Sequence, residues 1–281
     1  MTVLDAMLRA SGLPWIEARM LAGRACGLSA VQLASGLRDT VPGPQAQAFD
    51  ALVARRSAGE PVAYILGERA FYGRLFEVNA DVLIPRPETE LLCEVLLERV
   101  LAASPPTPAS VLDLGAGSGA IVVTLACERP AWLLTAADVA PAALLVAQRN
   151  AQRLCPHARL RFVLSDWFSA LRGERFDAIV SNPPYIASDD VHLSQGDLRF
   201  EPPAALRAGA LGLDALHTIA AQAPQHLHPG GSLLLEHGFA QGGLVREALH
   251  VHGFLQITTL TDLAGHERVT LGRRPLAEHN P

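Results

Sequence analysis

Along the first 68 residues the apolar positions fall in short stripes of helical period, whereas from residue 110 onward strand-length apolar runs alternate with helix-length amphipathic stretches. In the first segment Pro14 stands at a favoured helix-opening position and Gly27 at the matching stop. Trp15, Ala18, Leu21, Ala22 and Ala25 share one face between them. Ser29 caps a second short helix, and a longer one follows the Pro42-Gly43-Pro44 turn with Phe49, Leu52 and Val53 as its stripe. Such helices bury their faces against one another, which predicts a small bundle. From Phe71 to Val78 the period changes and Gly73 interrupts the run, as in a hairpin. Pro85 and Pro87 bracket Arg86 before a helix expected from Glu88 to Ala103, and Ser104–Pro108 reads as a proline-rich joint.

Beyond the joint, strands are expected at 111–114, 133–138, 160–164, 176–181, 231–236, 254–259 and 267–272. Helices are expected from Ala120 and over 141–154, 214–228 and 241–252. Regular alternation with helix-length crossovers predicts an α/β domain with a parallel sheet covered on both faces. The boundary is placed near residue 80: a helical domain over 1–80, ending in the hairpin connector, then the α/β domain over 81–281.

Composition narrows the function classes. Hydrophobic residues make up 49% and charged residues 18%, a globular balance, and every basic residue other than histidine is Arg. The net charge is −5, carried by the larger segment, so the bulk charge that nucleic-acid binders use to displace counterions is missing. A protein or small-molecule partner is favoured. Cys26, Cys93, Cys127 and Cys155 lack paired-ligand or disulfide-framework spacing and read as buried thiols; no metal is expected. No apolar run approaches about 20 residues, so the chain is expected to be soluble, cytoplasmic and monomeric, away from membranes.

The candidate chemistry begins where the first strand runs into Gly115-Ala116-Gly117-Ser118-Gly119. Glycines there let backbone approach a ligand, and this edge of an open α/β sheet is where ligands bind; a tight turn without a ligand is the alternative. Asp138 ends the second strand, where a carboxylate can hold both hydroxyls of a ribose or, more modestly, cap the helix opening at Pro141. Spacing G-x-G-x-G differs from the dinucleotide fingerprint G-x-G-x-x-G and, with Asp113 two residues ahead, resembles the S-adenosylmethionine loop of class I methyltransferases. After the third strand, Trp167 offers a face for an adenine and Asp166 an acceptor for its amine.

The fourth strand ends in Ser181-Asn182-Pro183-Pro184-Tyr185. Two prolines remove two backbone donors, leaving carbonyls as acceptors, while Asn182 adds a side-chain acceptor and Tyr185 a flat wall. That inventory suits a substrate with a planar NH₂, whose hydrogens would go to the Asn182 carboxamide oxygen and the Pro183 carbonyl.

Together these residues resemble the HemK family of protein-(glutamine-N5) methyltransferases acting on peptide chain release factors. The likeness includes Phe71-Tyr72-Gly73, Ile84 to Glu90, Asp113 to Ile121, Ser165 to Phe168, Ser181 to Ile186, Glu236-His237-Gly238 and Gly265 to Arg268. The resemblance implies a seven-stranded class I sheet, a helical N-terminal domain that helps dock the release factor, and methylation of the glutamine in a Gly-Gly-Gln loop, with S-adenosylhomocysteine as product. It implies that Gly115, Ala116, Gly117, Ser118, Gly119, Asp138 and Trp167 hold the cofactor. Asn182, Pro183, Pro184 and Tyr185 would hold the glutamine, with Asp166 and Asn182 also at the cofactor. The rival reading is an N6-adenine or other exocyclic-amine nucleic-acid methyltransferase, which shares the Asn-Pro-Pro-Tyr logic and calls for a basic groove. The histidine pairs 226/228 and 250/252 read as surface or helix-end residues, and the acidic run at Asp189-Asp190 as a solvated loop.

Overall fold

A computed structural model describes residues 2–101 and 108–276. Most of the predicted joint at 104–108, and the end of the helix predicted to reach Ala103, lie outside the described residues. The chain divides into two compact units, Met1–Glu68 with Ser194–Phe200, and Arg69–Leu193 with Glu201–Pro281.

In the smaller unit β1 (Thr2–Val3) pairs antiparallel with β2 (Thr40–Val41) beside α1 (Leu4–Ala10), α2 (Trp15–Cys26), α3 (Ala30–Ser35), α4 (Gly43–Ser57) and α5 (Val62–Leu66). Gly27 ends α2 in the left-handed region, and Ser29 forms a reciprocal capping box with Gln32 at the start of α3. Leu4, Leu8, Leu21, Ala22 and Phe49 form the core. Trp15, expected on the buried face, is 41% exposed. At the first residue of α2 its ring lies under the Arg9 guanidinium instead. The 194–200 segment belongs to this unit because Arg56 bonds Asp197 as well as Glu17, and Arg199 donates to the Ala58 carbonyl.

The larger unit opens with the hairpin of β3 (Glu68–Phe71) and β4 (Arg74–Glu77), turned by Tyr72 and Gly73, both at positive φ, as a two-residue type I′ loop requires. Phe71 and Phe76 meet edge to face and are buried in the core beneath the main sheet. The hairpin therefore packs with the α/β unit, whereas the boundary near residue 80 had grouped it with the helices. The single helix expected from Glu88 is instead a 3₁₀ turn, Pro87–Thr89, then α6 (Glu90–Val95) and a π turn over Leu96–Val100.

Seven strands follow: β5 (Ser110–Leu114), β6 (Leu133–Asp138), β7 (Arg159–Leu164), β8 (Phe176–Ser181), β9 (Leu227–Glu236), β10 (Leu255–Thr261) and β11 (Glu267–Arg273). Their order is β10-β11-β9-β8-β5-β6-β7, with helices α7 (Ala120–Glu128), α8 (Pro141–Leu154), α9 (Asp214–His226) and α10 (Gly242–Val251). The sheet is not wholly parallel as the alternation predicted: β11 runs antiparallel to both β9 and β10. The 262–266 turn is shorter than the roughly dozen residues a parallel crossover needs. Adjacent strand residues serve opposite faces, so Val111, Val180 and Leu234 join the core under α7, and Leu112, Ile179 and Leu233 the core under α9 and α10. Strand order reverses between β5 and β8, which opens a crevice at their carboxyl ends.

Candidate active site

The chain leaves β5 through three glycines whose φ values are 72°, 54° and 79° at Gly115, Gly117 and Gly119. The Gly115 and Ala116 amides donate to the Ala137 carbonyl at 2.8 and 3.1 Å, pinning the turn to the end of β6. A Cβ at Gly119 would lie 3.1 Å from side-chain carbons of Ala147 and Val123, so this glycine allows α7 to pack on α8. At Gly115 the nearest side-chain atom to such a Cβ is 4.0 Å away, on the Trp167 ring, and the backbone is open to a ligand.

Asp138 accepts from the Gly117 amide at 2.8 Å and from the Ala140 amide at 2.8 Å. Two of a carboxylate's roughly four acceptor positions are thus filled, and others remain for a ligand. Asp113 is buried, accepts from the Val122 amide at 3.1 Å, and has its carboxyl pushed up to about 7, chiefly by burial. Trp167 holds a φ of 47°, a strained value for a bulky residue, while its carbonyl accepts from the Ser165 hydroxyl at 2.7 Å.

At the end of β8 the Asn182 carboxamide donates through Nδ2 to the Thr89 hydroxyl at 3.0 Å. The Tyr185 hydroxyl donates to Glu236 Oε1 at 3.3 Å, and burial pushes the Glu236 carboxyl up to about 7 against the hydroxyls of Thr89 and Tyr185, which favour its charge. Burial likewise raises the Tyr185 phenol. Gln241 donates to the Tyr185 carbonyl at 3.0 Å and accepts from the Gly238 amide at 2.9 Å, fixing the loop that carries the tyrosine. The Ile84–Glu90 run, a stiff stretch that the family likeness includes, is a hub. The Ile84 amide and Arg86 both donate to buried Glu201, Thr89 meets Asn182, and Glu90 accepts from the Tyr72 amide at 2.8 Å.

A cleft of about 280 Å³ lies at the β5–β8 crevice, near the lower end of the roughly 300–1,000 Å³ typical of small-molecule sites. It brings together Gly115, Gly117, Asp138, Asp166, Trp167, Asn182 and Pro184. Ala116, Ser118, Gly119, Pro183 and Tyr185 are not among its walls. Ser118 is buried and its carbonyl accepts from Asn150, so its role is in the turn's packing. Sequence reasoning assigned no site role to the walls Asp81, Val82, Leu83, Pro202, Ala204 and Ala205, nor to Thr89, Glu201 and Glu236, although Thr89 and Glu236 stand in motifs it singled out. Glu236 did carry a signal: like Asp138, it is an acid closing a parallel strand at the carboxyl edge.

Away from the cleft, His226 ends α9 as expected but is buried, stacked on Phe168. Cys93 is buried, while the other three thiols are only partly covered.

A seven-stranded sheet of this order, with the glycine turn after β5, an acid closing β6 and Asn-Pro-Pro-Tyr after β8, defines a class I S-adenosylmethionine-dependent methyltransferase. The Methyltransferase small domain matches residues 88–199 and the PrmC N-terminal domain matches residues 4–67. The release factor glutamine methyltransferase of Neisseria gonorrhoeae is 50% identical over 271 residues, covering 96% of this chain and 97% of the relative. That of Bordetella pertussis is 48% identical, covering 97% and 99%. The chain belongs to the release factor glutamine methyltransferase family. In fold alone it is similar to a Pyrococcus furiosus methyltransferase, with a TM-score of 0.53 at 17% identity, covering 79% of this chain and 98% of that one. Among the described residues no helix is long and apolar enough to cross a membrane.

Proposed function

We propose that this chain transfers a methyl group from S-adenosylmethionine to the side-chain amide nitrogen of the glutamine in the Gly-Gly-Gln loop of peptide chain release factors. The carrying observation is the Asn182 carboxamide at the cleft wall, its Nδ2 committed to Thr89 and its Oδ1 left as an acceptor.

The cleft's residues suit the cofactor. Asp138 retains acceptor positions for ribose hydroxyls, Trp167 and Asp166 lie together for the adenine, and Gly115 and Gly117 leave the backbone open. When bound, S-adenosylmethionine supplies an electrophilic methyl carbon on a sulfonium. The chain's own residues must make an amide nitrogen attack it, although that nitrogen's lone pair is delocalised into its carbonyl, conjugation of the kind that gives a peptide a rotation barrier of about 18–20 kcal/mol. Asn182 Oδ1 and the Pro183 carbonyl would each accept one hydrogen of the substrate NH₂, favouring positive charge on nitrogen and holding it in line. Orientation of this kind supplies up to roughly 7–11 kcal/mol. Attack of that nitrogen on the methyl carbon would break the carbon–sulfur bond and release S-adenosylhomocysteine, the nitrogen's proton passing to water.

A single amide offers too little surface to select one protein, so the helical unit serves to dock the release factor across a larger interface. The exocyclic-amine alternative draws no support from the relatives, whose names specify release factor glutamine.

Mass spectrometry of a release factor incubated with enzyme and labelled cofactor tests the reading. One labelled methyl on the Gly-Gly-Gln glutamine is expected, and Asn182→Ala should lower kcat by roughly 10²–10³, as loss of an oxyanion-type contact does. An unlabelled glutamine would overturn the proposal.

A further inference from the structure

We propose that Leu211 and Phe239 form an apolar platform beside Tyr185 which holds the glycine main chain leading to the target glutamine. The inference rests on the reading of Asn182 to Tyr185 as the residues that hold that glutamine.

An apolar side chain on a surface is ordinary by itself, since roughly 55–60% of a folded protein's accessible surface is apolar. Leu211, 74% exposed, and Phe239, 63% exposed, differ because their loops meet at one side chain next to the tyrosine. The Gln241 carboxamide nitrogen reaches the carbonyls of Tyr185, Gly212 and Leu211 at 3.0, 3.2 and 3.4 Å, and its oxygen accepts from the Gly238 amide at 2.9 Å. The loops after β8, before α9 and after β9 therefore share one anchor.

The loop before α9 lies directly on the Tyr185 loop. The Ser188 amide donates to the Gly209 carbonyl at 2.8 Å and the Ala208 amide to the Ile186 carbonyl at 2.9 Å. A Cβ at Gly212 would lie 2.3 Å from the Tyr185 carbonyl oxygen, so glycine there permits the contact and leaves Leu211 outside it. Phe239 is braced as well. The Arg268 guanidinium stands 5.9 Å from its ring centroid and the His266 ring 5.7 Å, while Asp262 accepts from Arg268 Nε at 2.9 Å. A side chain held in place while still exposed loses little freedom on binding, which is what an anchor for a partner requires.

Continuity with Tyr185 decides the occupant. Extended main chain advances about 3.3–3.6 Å per residue, so the neighbours of a glutamine held at Tyr185 must cross the surface that borders it. In a Gly-Gly-Gln loop those neighbours carry no Cβ, and their backbone can lie flat against a ring or a leucine. The platform thus orders a segment that offers no side chain of its own to recognise.

The test uses the full-length enzyme with an intact release factor and with a short Gly-Gly-Gln peptide. Phe239→Ala combined with Leu211→Ala should raise the KM for the intact factor about tenfold, the scale of losing an interface anchor. It should lower kcat/KM for the peptide by a similar factor. Affinity for S-adenosylmethionine, read by calorimetry, should stay unchanged, which also reports an intact fold. Phe239→Trp keeps a flat ring and should stay near wild type. Wild-type kinetics of the double variant on both substrates would overturn the platform. A loss on the intact factor with none on the peptide would overturn it too, since the contact would then lie away from the target loop. Failure of the wild-type enzyme to label the Gly-Gly-Gln glutamine would instead remove the proposed function, and this inference with it.

Discussion

Asp138 accepts the Gly117 amide proton on one carboxylate oxygen and the Ala140 amide proton on the other, each at 2.8 Å, so a single side chain ties the glycine turn after β5 to the loop after β6. The same carboxylate lines the cleft. Asp138→Ala should therefore act twice. Cofactor affinity should fall by tenfold or more, since charge-assisted hydrogen bonds contribute about 1.5–3 kcal/mol each. The Gly117 and Ala140 amides of the ligand-free protein should also exchange hydrogen faster. Calorimetry that found unchanged affinity would remove Asp138 from the ribose role while leaving its part in the turn.

A second expectation follows from the buried carboxyls. Burial raises Glu236 and Asp113 to about 7, from ordinary values of 4.5 and 3.8. Around Glu236, Thr89, Tyr185 and Arg268 pull the other way and Glu88 adds to the rise; around Asp113, the Val122 amide opposes and Asp138 adds. Because the folded state holds protons that the unfolded chain has released, this contribution is fully present below about pH 4 and is lost as pH rises to about 7. Each group changes stability by at most about 1.4 kcal/mol per pH unit across that window. Urea denaturation of Glu236→Gln beside the wild type should show the variant gaining relative stability between about pH 5 and about pH 7. A constant difference across that range would exclude burial of a titrating Glu236.

Arg86 and Glu201 form the third test. Glu201 is fully buried as a side chain, whereas Arg86 is 31% exposed. Removing one partner of a buried pair costs about 3–5 kcal/mol, and the partial exposure of Arg86 places Arg86→Ala at or below the lower end. Since Val82, Leu83 and Pro202 beside this pair wall the cleft, affinity for S-adenosylmethionine should weaken in parallel. A denaturation midpoint and a cofactor Kd that both match the wild type would count the pair as a surface contact.

The helical unit exposes Ile16 at 70% and Val31 at 77%. If this unit docks the release factor, a short Gly-Gly-Gln peptide should be methylated far more slowly than the intact factor, and Ile16→Asp with Val31→Asp should lower kcat/KM for the intact factor while leaving the peptide's rate unchanged. Equal losses on both substrates would assign the unit a supporting role only.

Much of this architecture was legible before the fold because its causes are local. Gly27 ends α2, Ser29 caps α3, and Pro141 opens α8, each through backbone chemistry confined to a few adjacent residues. Apolar period placed every strand of the main sheet to within a few residues; Asp138 closes a strand and the glycine turn and Asn182 directly follow one, where a ligand edge is expected.

What the tertiary structure alone decided involves residues distant in the chain. The direction of β11, and its insertion between β9 and β10, follow from a short connection and from which edge remained to be paired. The hairpin's allegiance was set by where Phe71 and Phe76 found apolar contact. The Asn182–Thr89 hydrogen bond joins residues 93 apart in the chain, and it closes only when β8 and the 3₁₀ turn come together. Local stretches encode elements because torsional preference and hydrophobic period act over a few residues. A buried polar network is selected instead by the requirement that groups far apart in sequence satisfy one another once water is gone.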